Sequence, residues 1–346
     1  MIKASYRKHI LNFKQPSGTS RGVLRQKETW FIVLERNGEL GIGECGILRG
    51  LSADDVPEYE SKLKWSCENI HLGIDTLYQE LMAFPSIQFG LEMAFKSLEN
   101  DDPFKLYDSK FYRGEEGITI NGLIWMGDRA FMQKQIKAKI EQGFSCIKLK
   151  IGAIDFETEL NLLQSIRKEF SASDIELRVD ANGAFSIEDA LVKLNLLSKL
   201  KLHSIEQPIK AGQFESMAVL CENTPLPIAL DEELIGVWDV TKRQELLQTI
   251  NPQYIILKPS FIGGYRGSEN WINLADNLNI GWWITSALES NIGLNAIAQW
   301  TNTLESKMPQ GLGTGGLFTN NILSPLEVVG DQLMYSQINK WEYKII

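Results

Sequence analysis

Cysteine and histidine are scarce in this chain, with four of the first and three of the second in 346 residues. The cysteines, Cys45, Cys67, Cys146 and Cys221, lack the paired spacing of a metal site, and no charged leader followed by an apolar stretch opens the chain. A reduced, cytoplasmic protein is therefore expected. No window approaches the ~20 uninterrupted apolar residues that span a bilayer, so a membrane-spanning helix is excluded on length. An excess of positive charge is lacking too: the net charge is −9, without the basic patch that nucleic acid or an anionic membrane surface calls for. A small-molecule ligand is the expected partner. The glycine-rich phosphate turn that follows the first strand of an open, doubly wound dinucleotide sheet is missing. So is any low-complexity linker.

What is present is ordinary globular composition, 44% hydrophobic and 23% charged, enough for a sizeable core. The length suits a barrel with a smaller partner domain. Residues 29–43 read as two strands around Asn37-Gly38, a dipeptide that favours a tight hairpin because both positions tolerate positive φ. From 52 to about 100 the pattern is helical, with Phe89, Met93 and Phe95 as apolar markers. Residues 1–113 are thus expected to form an α+β capping domain. After Gly114 short apolar runs alternate with polar loops and helical stretches, the rhythm of parallel βα units. Strands are predicted at 118–122, 146–151, 176–180, 204–206, 227–231, 254–258 and 282–285, with a weak one near Gly311. Eight strands in this order predict an α/β fold with a closed (β/α)8-type barrel, in modified (β/α)7β form, over residues 114–319. Residues 320–346 lose the rhythm and are expected to pack back on the capping domain.

Charged residues fall at the carboxyl ends of successive predicted strands, which converge on the mouth of such a barrel. Period-2 alternation puts Lys148 and Lys150 on one face and Ile147, Leu149 and Ile151 on the other, and it aligns Arg178, Asp180 and Asn182. Inward-facing charges are costly unless they satisfy one another or a ligand. Asp180, Glu206 and Asp231 come from three consecutive strands roughly 25 residues apart, the repeat of βα units. Three convergent carboxylates repel unless a cation is present, and hard oxygen ligands without histidine or cysteine favour Mg2+. Lys150 and Lys258 lie on the second and sixth strands, on opposite sides of the barrel. Beside a divalent cation, such a lysine would have its ammonium form disfavoured and could act as a base. His203 precedes Glu206 by three positions, so alternation turns it to the opposite face, in a structural role.

These residues resemble the enolase superfamily, and within it the muconate-lactonising branch, which carries a Lys-x-Lys on the second strand and a lysine on the sixth. The matching positions are Lys148-Leu149-Lys150 and Lys258. The metal ligands of that branch match Asp180 in Val179-Asp180-Ala181-Asn182, Glu206 in Ile205-Glu206-Gln207-Pro208 and Asp231 in Leu230-Asp231-Glu232. Gly41-Ile42-Gly43-Glu44-Cys45 matches the end of the N-terminal hairpin, so the resemblance covers nearly the whole chain. Residues 16–22, 285–290 and 311–315 are most similar to the o-succinylbenzoate synthase family of menaquinone biosynthesis. There is no Asp-x-Asp at the eighth strand of the kind dipeptide epimerases use, and no histidine on the sixth or seventh strand.

The resemblance implies a Mg2+-dependent lyase that abstracts a proton next to a carboxylate and eliminates water. Lys150 would be the base, Lys258 a stabilising charge on the opposite face, and Lys148 a carboxylate contact that lowers the pKa of Lys150. Arg178 and Asn182 would support the metal ligands. Ser20 and Arg21 on a flexible polar loop would close over the substrate, and Ser286, Gly313 and Thr314 would also bind it. Three other readings stay open: an N-acylamino-acid racemase using the same lysines in turn, a metal-independent Schiff-base aldolase, and a binding barrel without catalysis. Oligomeric state is not legible.

Overall fold

The computed structural model describes residues 1–19 and 22–342. Its first part is an antiparallel sheet of β1 (Lys3–Thr19), β2 (Gly22–Arg36) and β3 (Glu39–Gly46), in that order. The β2–β3 turn falls on Asn37-Gly38, with φ of 56° and 91°, the backbone that this dipeptide tolerates. Of residues 16–22, expected as a polar loop, those up to Thr19 and Gly22 belong instead to the β1–β2 ribbon: Ser17 pairs with Leu24 and Thr19 with Gly22. Ser20 and Arg21 lie outside the described residues.

Three helices, α1 (Tyr59–Glu68), α2 (Gly73–Glu80) and α3 (Pro85–Ser97), pack against this sheet around Trp30, Ile32, Leu63 and Leu91. The glycines of the 41–45 segment permit that contact. A Cβ on Gly43 would lie 1.9 Å from Gly90 O and one on Gly41 2.2 Å from Ala94 O, so β3 presses directly on the α3 backbone.

The second part opens with β4 (Ile118–Thr119), β5 (Gly122–Ile124), β6 (Cys146–Lys150), β7 (Glu176–Asp180), β8 (Ser204–Glu206), β9 (Ile228–Leu230), β10 (Tyr254–Leu257) and β11 (Gly281–Ile284). Strands β5 to β11 form one sheet in sequence order, each paired in parallel with its neighbour. The weak eighth position closes it. Gly311 bridges to Thr285 and Gln310 to Ile120, both in parallel. The outward residues, among them Ile147, Leu149, Leu177, Val179, Ile205, Leu230 and Leu257, join the shell of helices in one buried core.

The predicted first strand, 118–122, needs correction. Ile118 and Thr119 pair antiparallel with β13 (Gln332–Tyr335), which pairs with β12 (Leu326–Val329). The Ile120 amide donates to Asp331 O at 2.8 Å, and the barrel strand proper starts at Gly122. One apolar run thus serves two sheets. Further on, Asn320 links to β1, accepting from Asn12 N and donating to Ile10 O, both at 2.8 Å. Among the described residues no helix is long and apolar enough to cross a membrane.

Candidate active site

The strand register stacks the inward side chains in layers. Lys150 is opposite Asp180, and Asp180 opposite Glu206, while Asp231 and Lys258 directly follow β9 and β10. One layer deeper lie Lys148, Arg178 and Ser204, with Ala229, Ile256 and Trp283 in a separate buried cluster inside the barrel. The predicted carboxylates and lysines are therefore brought together.

The ammonium groups thread between the acids. Lys148 Nζ donates to Glu206 Oε2 and stands 3.2 Å from Asp180 Oδ2. Lys150 Nζ donates to Asp180 Oδ2 at 2.7 Å and to Asn182 Oδ1 at 2.9 Å. Lys258 Nζ donates to Asp231 Oδ2 and lies 3.9 Å from Glu206 Oε1, which receives no hydrogen bond though fully buried. As placed, no group of three His, Cys, Asp or Glu side chains among the described residues could by itself hold a metal ion.

Charge is unevenly shared in this cluster. Burial opposes the ionised form of Asp180, but Lys148 and Lys150 outweigh it and hold the carboxyl far below the usual range. Asp231 is lowered in the same way, burial opposing and Lys258 prevailing. Glu206 goes the other way: burial, reinforced by Asp180 and Asp231, pushes it well above its ordinary value despite two nearby lysines. Burial would lower Lys148 and Lys258, yet the adjoining carboxylates raise both. Each of these two lysines is matched to an acid, which favours its ammonium form.

Two sequence assignments change. Arg178 lies below the carboxylates, donating to Glu176 Oε1 at 2.7 Å and Pro309 O at 3.0 Å, its guanidinium 4.4 Å from the Trp283 ring centre. It braces the barrel floor, because the inward face of a strand supplies more than one layer. His203, expected to face away, turns under that floor, with its ring 4.9 Å from Tyr254 and its Nδ1 3.0 Å from Ser204 Oγ. Its role is structural as expected. Asn182, expected behind the metal ligands, touches Lys150 directly and holds a φ of 45°.

A cavity of about 290 Å3 opens above the cluster, lined by Lys148, Lys150, Asn182 and Lys258. Ser286, Gly313 and Thr314 also line it. There Thr314 Oγ1 donates to Ser286 Oγ at 2.9 Å, and Ser286 Oγ to the buried Glu289 at 2.6 Å. Sequence reasoning missed the apolar lining, Leu24, Leu48, Trp125 and Leu288, and the rim cation Arg49. Trp125 directly follows β5, beyond the end predicted for the first strand, and the others stand at no barrel strand end.

The small domain is tied to the barrel beside this cavity. Glu44, fully buried on β3, accepts from Thr29 Oγ1, Ser290 N and Gly293 N, each at 2.8 Å. The last two donors open the helix Asn291–Thr303, an end that attracts negative charge.

Residues 132–325 match the family described as Enolase C-terminal domain-like. Over 363 aligned positions the chain is 47% identical to an o-succinylbenzoate synthase of Desulfotalea psychrophila, covering 96% of this chain and 98% of that protein. The crystal structure of MenC from Desulfotalea psychrophila LSv54 superposes with a TM-score of 0.86 at 43% identity, covering 96% of this chain and 99% of that one. A dipeptide epimerase from Enterococcus faecalis V583, complexed with Mg and the dipeptide L-Leu-L-Tyr, has a TM-score of 0.85 over 98% of both chains. At 18% identity that likeness concerns the fold.

Proposed function

Because this chain belongs to the enolase superfamily, in the branch of the o-succinylbenzoate synthases, we propose that it dehydrates 2-succinyl-6-hydroxy-2,4-cyclohexadiene-1-carboxylate to o-succinylbenzoate. This is a lyase reaction of menaquinone biosynthesis. The observation that carries the mechanism is the placement of Lys150 and Lys258 on facing walls of one cavity, with buried carboxylates between them.

Asp180, Glu206 and Asp231 would hold a divalent cation, for which magnesium is the usual choice in this superfamily. The donor set fits it: all ligands are carboxylate oxygens, and Glu206 Oε1 is buried without a hydrogen bond. When bound, the ion supplies Lewis-acid stabilisation of negative charge on the substrate carboxylate. Lys150, in its neutral form, takes the proton from the α-carbon on its face of the ring. The electron pair released moves toward the carboxylate, then back as the C–O bond to the 6-hydroxyl breaks. Lys150 returns the proton to the departing oxygen on the same face, so one water leaves and the ring becomes aromatic. Lys258, held as ammonium by Asp231 and Glu206, faces the intermediate with fixed positive charge.

That protonation state also disfavours Lys258 as a Schiff-base lysine, which must be neutral to attack a carbonyl. The eighth-strand wall, Gly311, Gly313 and Thr314, presents no carboxylate to a substrate ammonium, which argues against dipeptide epimerisation. A cytoplasmic location fits the four unpaired cysteines. The test is an ultraviolet assay of aromatic product formation from the cyclohexadiene acid, with Mg2+ and with EDTA, beside racemisation assays on N-succinyl amino acids. Dehydration that EDTA abolishes is expected; no aromatic product, or an EDTA-indifferent rate, would remove the proposal.

A further inference from the structure

The turn that follows Lys150 closes on a buried carboxylate of its own. Ile151 still donates its amide to Asp180 O at 2.8 Å, and there the β6–β7 ladder stops. Gly152 then adopts a φ of 96°. A Cβ at this position would lie 2.5 Å from Ala184 Cβ, so the turn is wedged against the loop that follows Asp180. The Gly152 amide donates to Glu159 Oε1 at 2.7 Å, the nearby amides of Ala153 and Ile154 favour the ionised carboxylate, and Glu159 Oε2 is buried without a hydrogen-bond partner. Glu159 sits in the helix Phe156–Glu169 at 2% exposure. The start of that helix is capped by Asp155, which accepts from Thr158 N at 3.0 Å.

A carboxyl in such a place is costly unless hydrogen bonds offset its burial. The amides of 152–154, past the end of the ladder, need an acceptor as much as Glu159 needs donors. Burial pushes the Glu159 carboxyl up to about 7 while those amides pull it down, so a neutral amide of the same shape can stand in for it.

We propose that Glu159 is a positioning residue for Lys150: by accepting from the Gly152 amide, it holds the end of β6 and so directs Lys150 Nζ into the cavity. The proposal rests on Lys150 being the base. A base displaced by ~1 Å costs about 100-fold in rate even when its chemistry is intact, whereas a carboxylate that only steadied its helix would affect stability and leave turnover alone.

The experiment compares kcat, KM, Mg2+ affinity and thermal midpoint for Glu159→Ala, Glu159→Gln, Glu159→Asp and Lys150→Ala. Glu159→Ala should lower kcat about 10- to 100-fold, with KM and Mg2+ affinity within about twofold of wild type. Glu159→Gln, whose side-chain oxygen still accepts from Gly152 N, should recover kcat to within about threefold. Wild-type kcat in Glu159→Ala, a loss confined to KM or Mg2+ affinity, or failure of Gln to rescue would overturn the proposal. If Glu159→Ala does not fold, Glu159→Asp decides: its shorter arm should cost kcat where Gln does not, and equal, near-wild-type rates for both would sink the idea. Lys150→Ala keeps the two readings apart. An active Lys150→Ala refutes the base itself, whereas an inactive one beside a fully active Glu159→Ala refutes only the positioning role.

Discussion

Replacing Lys258 by methionine separates charge from volume on the wall opposite Lys150. The lysine is buried, its Nζ paired with Asp231 and 3.9 Å from Glu206 Oε1. Methionine keeps most of the length and the apolar stem, so the cavity keeps its shape and loses one positive charge. In the transition state, negative charge spreads toward the substrate carboxylate between the two walls, where a preorganised charge-stabilising group is worth ~2.7–4 kcal/mol. That converts to a fall in kcat of about 100- to 1000-fold. The free enzyme changes as well. Two unit charges ~4 Å apart interact by about 4 kcal/mol at an effective dielectric of 20. Glu206, already pushed well above its ordinary value, therefore holds its proton more tightly in the variant, and Mg2+ affinity should weaken most at acidic pH. The assay follows product absorbance in D2O, together with deuterium gained at the α-carbon of recovered substrate. Lys258→Met should retain slow turnover and exchange through Lys150, whereas Lys150→Ala should lose both. A full-rate Lys258→Met, or a Lys150→Ala that still exchanges, would refute the division of labour between the lysines.

Asp180→Asn, Glu206→Gln and Asp231→Asn should each weaken Mg2+ binding by calorimetry, and a variant with unchanged affinity would strike that residue from the ligand set. Deleting residues 17–22 should cut kcat/KM and spare cooperative thermal unfolding, as expected of a segment that acts on the substrate and not on the core; loss of cooperativity would show the segment to be structural. Burial pushes Glu92 from 4.5 up to about 8, where it accepts from Tyr265 N at 2.6 Å under the helix Gly264–Asn277. Because the folded pKa is raised, the native state holds more protons, and this group's contribution is complete below pH 4.5 and is lost as pH rises through about 8. The slope is up to ~1.4 kcal/mol per pH unit. Glu92→Gln should flatten the stability profile between pH 5 and 8, and unfolding curves with an unchanged slope would dismiss the effect.

The barrel was legible because its strands alternate. Ile147, Leu149, Leu177 and Val179 had to face the helices, which left Lys148, Lys150, Arg178 and Asp180 for the interior. β1 was illegible: its residues from Lys3 to Ile10 are all exposed or half-buried, and Lys3, Arg7 and Lys8 are charged, with no apolar run to mark a strand. The first barrel strand was misplaced for the opposite reason, since 118–124 is apolar enough to serve both the barrel and the β12–β13 hairpin. Apolar content reports burial and is silent about which neighbour provides it.

The sequence by itself determined which charged residues meet at the barrel mouth, because a charged side chain at an inward strand position is too costly to arise without partners. Tertiary structure alone decided which partners those are. Depth along a strand separates Arg178, spent on Glu176, Pro309 and Trp283, from Asp180 two residues later. Which ammonium meets which carboxylate, why Glu206 Oε1 is left without a hydrogen bond, and how Glu44 and Glu92 lock the small domain onto the barrel all depend on distances between segments remote in the chain. Those distances come from strand register and from the close packing of β3 on α3, and periodicity along one segment contains neither.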